Sequence, residues 1–260
     1  MGNEPFGGFC VCAWEDDLLL PNVRSASRLP PDPKSVLVRA FPYYTGEREG
    51  RNLSLYAVIP DYHAVVLSML EESRLRLCAA YPENRFVSFC DASPVDEVTA
   101  GLRAGAGILG KNGLLITKDF GSLVFLGEIV TDLSLPAKRK TAHCADCGAC
   151  VRACPTGALT KDGLTPSLCL SHITQKKGAL SEQEALALRA GGLAWGCDCC
   201  LLACPHNHDP KKTPIEAFLS GTEPVLTAAN LSRLMHNRAF AWRGRAVLER
   251  NLALLQKPDE

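Results

Sequence analysis

The chain has 260 residues, and its 28 basic and 28 acidic side chains cancel, which excludes binding of nucleic acid through overall positive charge. At 47% hydrophobic it can build one large core or two modest ones, yet no apolar run reaches membrane-spanning length. Thirteen cysteines behind a start without a basic, apolar leader predict a cytoplasmic, soluble protein that uses thiols for metal rather than for disulfides.

Residues 1–35 are rich in Gly, Pro and Asn and show little periodicity; Cys10 and Cys12 there have no partners at ligand spacing. Val36 to Ala40 reads as a buried strand ended by Pro42. Ser54 to Ile59 is a second strand-like run, after which Pro60-Asp61 introduces a helix. Along that helix Tyr62, Val65, Val66, Met69 and Leu70 recur on one face, and Cys78 near its end reads as core. Arg85 to Cys90 is a further strand leading into Asp91-Ala-Ser93-Pro94-Val95-Asp96. Ser93 suits an N-cap and Pro94 the first helical position, which leaves Asp91 at a strand end without a structural duty. Gly110-Lys111-Asn112-Gly113 is a turn signal, and Leu114 to Thr117 with Leu123 to Val130 reads as a hairpin around Asp119-Phe-Gly121-Ser122. The succession of strands and helices predicts an α/β or α+β domain over about residues 35–135, with Lys138-Arg139-Lys140 as an exposed linker.

The cysteines follow. Cys144, Cys147, Cys150 and Cys154-Pro155 fit the C-x2-C-x2-C-x3-C-P pattern of a cubane iron–sulfur cluster, with four-thiolate zinc as the competing reading. Cys197, Cys200 and Cys204-Pro205 repeat the second part of that pattern but lack one local ligand. Cys169 is the natural replacement, and Cys199 is its competitor. Because the cysteine before proline serves the other cluster, Cys144, Cys147, Cys150 and Cys204 would hold one cube and Cys154, Cys169, Cys197 and Cys200 the other. Cys199 is then a spare thiol. Ser181-Glu182-Gln183-Glu184 opens a helix with a capping box, and helices are expected at Pro214 to Leu219, Asn230 to Met235 and about Ala246 to Leu255. From Ala228 to Arg250 five arginines (Arg233, Arg238, Arg243, Arg245 and Arg250) stand against the lone carboxylate Glu249, either as a phosphate-facing surface or as a solvated helical face. No G-x-G-x-x-G fingerprint or phosphate-binding loop is present to receive electrons.

Several short motifs stand in a telling order: Asp61-Tyr62-His63, Phe89-Cys90-Asp91-Ala92-Ser93-Pro94, Gly107-Ile-Leu-Gly110-Lys111-Asn112, Gly121-Ser122-Leu-Val-Phe125-Leu-Gly127-Glu128, Cys154-Pro155-Thr156-Gly157-Ala158 and Gly196-Cys197-Asp198. Over residues 35–207 the chain resembles the epoxyqueuosine reductase family, cobalamin-dependent enzymes of the last step in making the tRNA base queuosine. The resemblance implies an α+β protein with an irregular segment at 1–35, a cobalamin-binding catalytic domain at 36–140, a ferredoxin-type domain with two [4Fe-4S] clusters at 141–208 and a helical extension at 209–260. It implies the same eight cluster ligands. It also implies that the clusters feed electrons from an external low-potential donor to a base-off cobalamin, whose low-valent cobalt reduces the epoxide to an alkene with release of water. Asp91 matches the family's proton donor, whose carboxyl, once buried beside the corrinoid, is expected to have a raised pKa. Asp61, Tyr62, His63, Ser93, Lys111, Asn112, Gly121 and Ser122 match cofactor-site segments; their other reading is capping, core and turn chemistry.

Three departures from the family pattern stand out. Val98, not arginine, follows Glu97; His206-Asn207 follows Cys204-Pro205; and only the start of the family's C-terminal helical-repeat domain is present. The expected partner is tRNA, docked through the arginine-rich tail, and no membrane is involved. Two other readings compete: a cobalamin-dependent reductase of a small epoxide or halide, and a ferredoxin-like electron carrier without catalysis.

Overall fold

The computed structural model describes residues 6–256; the first five residues of the irregular N-terminal segment and the last four of the C-terminal extension lie outside the described residues. The fold is α+β. The chain divides into two compact units. One takes the chain up to Phe41 and again His63–Asp146; the other takes Pro42–Tyr62 and the chain from Cys147 onward.

The first unit is built on a four-stranded sheet. Strands β1 (Cys10–Ala13), β2 (Ser35–Pro42), β3 (Phe86–Phe89) and β6 (Val124–Thr131) lie in the order β1-β2-β6-β3, with β1 antiparallel to β2 and β3 antiparallel to β6. Helix α1 (Tyr62–Ala80) is rich in Leu, Met, Ala, Glu and Arg, all good helix formers, and buries Val66, Leu70, Ser73 and Leu77 along one stripe. It approaches β6 at Gly127, where an added Cβ would stand 3.0 Å from Val66 and Leu70 side-chain carbons and 3.1 Å from Phe41. Helix α2 (Glu97–Ala104) starts at Asp96, whose carboxylate accepts from the Thr99 N–H at 3.0 Å, and ends on left-handed Gly105. Cys12, Leu18, Val36, Val38, Phe89, Val95, Ala100 and Val130 form a single core beneath these elements. Cys12 is therefore a packing residue, and burial pushes its thiol up to about 11.

Three local expectations are corrected. Ser93 is not the helix cap: the chain stays irregular for three more residues, and Asp96, which can reach the Thr99 N–H and hydroxyl, caps instead. Leu115–Ile116 (β5) does not pair with β6 but with Ile108–Leu109 (β4), across the Gly110–Gly113 turn, where the Gly113 N–H donates to the Gly110 carbonyl and the Gly110 N–H to the Leu114 carbonyl. Residues 54–59 form no strand; only Leu53 bridges, to Trp195, and Leu55–Ala57 coils into a 3-10 turn.

The second unit is helical, with one small hairpin, β7 (Leu159–Thr160) and β8 (Gly163–Leu164). Helices α3 (Ala149–Arg152), α4 (Leu170–Gln175), α5 (Glu182–Gly191) and α6 (Cys199–Leu202) precede α7 (Glu216–Leu219), α8 (Ala228–Leu234) and α9 (Arg245–Gln256). The expected capping box forms at Ser181 and Glu184. Leu170, Ile173 and Leu188 make an apolar cluster joined by Leu254 and Leu255 of α9. Asn251 of α9, fully buried, donates to the carbonyls of Thr174 (2.7 Å) and Ala194 (2.8 Å). Among the described residues, no helix is long and apolar enough to cross a membrane.

Candidate functional site

In the first unit the end of β3 and the start of α1 bring two predicted residues together. His63 Nε2 stands 3.0 Å from Asp91 Oδ2. Asp91 has φ +61°, the left-handed region that a side chain other than Gly, Asn or Asp seldom enters. The turn holding it is tight: the Ala92 N–H donates to the Cys90 carbonyl at 2.8 Å and the Ser93 N–H to the Asp91 carbonyl at 2.7 Å. The Asp91 side chain is 63% exposed, the turn carrying the group outward past the strand end.

Beneath this turn lies a pair of carboxyl groups. Glu97 Oε1 accepts the Asp91 N–H at 3.1 Å, and Glu97 is hydrogen-bonded to Glu128. Glu128 sits in the middle of β6 with no exposed surface, and the Ser93 hydroxyl bonds to its Oε1. Ser93 also accepts the Val95 N–H at 3.0 Å. Burial pushes the Glu97 carboxyl up to about 7, with the Asp91 and Asp96 charges adding to it against the bonds from Glu128 and the Asp91 amide. Burial and the Glu97 charge raise Glu128 well above the usual carboxylate range. Two carboxylates cannot both ionise in so dry a place, so the pair holds a proton near neutrality.

The remaining predicted cofactor residues are spread more widely. Lys111 Nζ meets Asp146 at 3.1 Å, and Asn112 Oδ1 accepts the Leu114 N–H at 3.4 Å in the Gly110–Gly113 turn. Gly121, at φ +56°, gives its carbonyl to the Thr117 N–H and hydroxyl at 2.8 and 2.9 Å, and Ser122 next to it is buried. The Asp61 N–H donates to Asn237 at 3.3 Å, just ahead of Tyr62 at the start of α1. Turn closure thus accounts for the bonds described at Asn112 and Gly121.

In the second unit the cysteines ride on short helices and their flanks. Cys150 lies in α3, Cys199 and Cys200 open α6, and Cys169 occupies the cap position of α4. Among the described residues, no three His, Cys, Asp or Glu side chains are set to hold a metal ion. The fit to iron–sulfur clusters lies in the donors: soft thiols, and at Cys154 a sulfur that already accepts the Leu159 N–H at 3.4 Å. Burial works against ionisation of Cys154, yet that bond and those from Thr156 and Ala158 bring its pKa below the ordinary thiol value. Cys197 differs; packed against the Leu170 cluster, it is pushed up to about 12 by burial.

A polar lattice braces the Cys197 loop. Asp198 Oδ2 accepts Arg51 Nη1 at 2.7 Å and the Leu55 N–H at 3.0 Å, while Oδ1 has no partner. Burial raises the Asp198 pKa even with Arg51 opposing it. Trp195 Nε1 donates to the Tyr56 hydroxyl at 2.7 Å, and the Ser54 N–H to the Trp195 carbonyl at 2.9 Å. Only glycine fits between them: at Gly196 an added Cβ would lie 2.6 Å from Ser54 Cβ, and φ is +78°.

Residues 143–207 match the 4Fe-4S double cluster binding domain, and this segment is the chain's two-cluster module. Over 202 residues the chain is 35% identical to the epoxyqueuosine reductase of Synechocystis, an alignment covering 75% of this chain and 69% of that one. The chain belongs to the epoxyqueuosine reductase family. The relative from Listeria monocytogenes is also 35% identical, over 208 residues, and there the chain spans about half of the relative, 54%. The solved epoxyqueuosine reductase of Streptococcus thermophilus superposes with a TM-score of 0.76 at 25% identity, covering 93% of this chain and 70% of that one.

For this epoxyqueuosine reductase relative, sequence reasoning missed Glu97 and Glu128 as members of the site. A signal was available: Glu128 interrupts the apolar strand Val124–Thr131, where a carboxyl must be buried and must find a partner. The arginine tail also reads differently. Arg233 pairs with Glu223, Arg245 with Glu249 and Ser232, and Arg238 and Arg250 donate to backbone carbonyls of Gly221, Lys176 and Gly178. Arg243 stacks on Trp242, 4.0 Å from the ring centroid. Arg250 fastens the tail to the rest of its unit, while the other four bond within the tail, Arg233 and Arg245 remaining exposed.

Proposed function

We propose that the chain reduces the epoxide of epoxyqueuosine in tRNA to the alkene of queuosine, drawing on an external low-potential electron donor. The observation that carries this reading is the His63–Asp91 pair, presented on a rigid turn by a member of the epoxyqueuosine reductase family. Cobalamin, when bound, supplies the reducing equivalents to the epoxide carbon, and the two clusters supply it with electrons one at a time. Cys144, Cys147, Cys150 and Cys204 hold one cluster, and Cys154, Cys169, Cys197 and Cys200 the other. The exposed carboxyl–imidazole edge fits a cofactor and substrate that arrive from outside the first unit's core. Asp61, Tyr62, His63, Ser93, Lys111, Asn112, Gly121 and Ser122 are the proposed cofactor contacts, supported by their match to the family's motifs.

Opening the epoxide to an alkene and water consumes two electrons and two protons. Asp91 gives one of the protons to the departing oxygen, the second comes from solvent as that oxygen leaves as water, and His63 orients the carboxyl through Oδ2. A substrate that covers Asp91 strips its water and favours the protonated form needed for that transfer.

Complementation tests the reading. Expression in cells lacking their own reductase should restore queuosine in tRNA, whereas Asp91→Asn should lower turnover about 100-fold or more with iron content unchanged. Cobalamin bound with no queuosine formed would shift the substrate to a small epoxide or halide. Iron bound without cobalamin would leave an electron carrier.

A further inference from the structure

The turn that presents Asp91 rests on a carboxyl pair to which neither the motifs nor the reaction assigns a part. Glu97 approaches it from the first turn of α2, Glu128 from the centre of β6 and Ser93 from the turn itself. The charged and titratable neighbours facing the pair are Asp91, with His63 of α1 upon it, and Asp96 at the α2 cap. Oε2 of Glu128 is buried and has no N–H or O–H donor aimed at it. A buried carboxylate oxygen in that position is relieved by a proton, and Glu97 is there to share it.

We infer that Glu97 and Glu128 hold one proton between them and act as positioning residues, with Glu97 fixing the Asp91 amide and through it the left-handed backbone that aims the Asp91 carboxyl at His63. Glu128 keeps the proton and donates it in a hydrogen bond to Glu97, whose ionised carboxylate accepts the Asp91 N–H as a charge-assisted bond. Ser93 holds Glu128 from the opposite side and so closes the network onto the same turn. The pair spans from strand to helix, and the turn between them cannot shift without breaking one of these bonds. The inference deepens the proposed function by naming what holds its proton donor in place, and it rests on that reading for the role of Asp91.

Nuclear magnetic resonance of the full, cluster-loaded chain, labelled with nitrogen-15 at aspartate, tests it without turnover. As Glu97 ionises, the Asp91 amide proton should move downfield through a titration centred near pH 7. Glu97→Gln should remove that step while keeping the left-handed carbon shifts of Asp91, and Glu97→Ala should lose those shifts. Glu128→Gln should lower the midpoint by about one pH unit or more, since its amide donates without carrying a shareable proton. A step that persists in Glu97→Gln, or a midpoint indifferent to Glu128→Gln, overturns the assignment. Failure of the proposed function would show instead as no queuosine formed by the parent chain, or as normal turnover in Asp91→Asn, with the parent's Asp91 amide titration intact, so the two outcomes separate.

Discussion

Replacing Arg51 by methionine removes the cation from a carboxylate that is 2% exposed. The Asp198 carboxyl keeps the Leu55 N–H on Oδ2 but has nothing on Oδ1, so one backbone amide must compensate a buried charge. Breaking one side of such a pair destabilises by about 3–5 kcal/mol. At roughly 2–4 °C per kcal/mol for a unit of this size, the melting temperature should fall by about 10 °C. Asp198 escapes part of this by taking up a proton. Its folded pKa is already raised, so stability held by the protonated form at low pH is lost as pH rises, and the deficit should be larger at pH 8 than at pH 6. Adding Asp198→Asn to Arg51→Met should recover stability, because the orphaned charge disappears while the acceptor for Leu55 remains. Anaerobic scanning calorimetry at matched iron content measures all three proteins. A single variant melting within a degree of the parent, or a double variant less stable than the single, would refute the reasoning.

The Glu97 carboxyl gives a second pH effect. Its folded pKa of about 7 lies above the unfolded value of 4.5, so the stability it confers is complete below 4.5 and is lost as pH rises through 7. Unfolding free energies from urea titration should therefore fall between pH 5 and pH 8 by about 2.5 kcal/mol more in the parent than in Glu97→Gln; equal changes would remove the burial argument. Gly196→Ala should destabilise the second unit by about 3 kcal/mol and lower the iron bound per chain, since it combines a left-handed backbone with a Cβ forced onto Ser54. Iron analysis and melting of the purified variant check this.

Legibility in the sequence followed the range of the forces involved. The α1 stripe, the β3 run and the Ser181 capping box rest on neighbours within a few residues, and each stands where its pattern points. The cysteine spacing is equally local, which is why it matched a two-cluster module without any knowledge of the fold. What could not be read was partner choice at a distance. Leu115 pairs back to Leu109 and β6 crosses to β3, yet the alternation of apolar residues is the same for either pairing. The Ser93 cap failed for a related reason: its hydroxyl was claimed by Glu128, 35 residues further on, so the next competent side chain capped the helix. Arg250 could not be told apart from the exposed arginines around it because nothing nearby advertised the carbonyls of Lys176 and Gly178 as its partners.

Asn251 joins two carbonyls that belong to different stretches, one closing α4 just after Cys169 and the other leading into Cys197. The last helix thereby acts as a clasp on the scaffold of a single proposed cluster, reaching the ligands from both sequence directions. Removal of the Asn251 side chain would register first as loss of colour and of reducible iron, while α9 itself stayed wound.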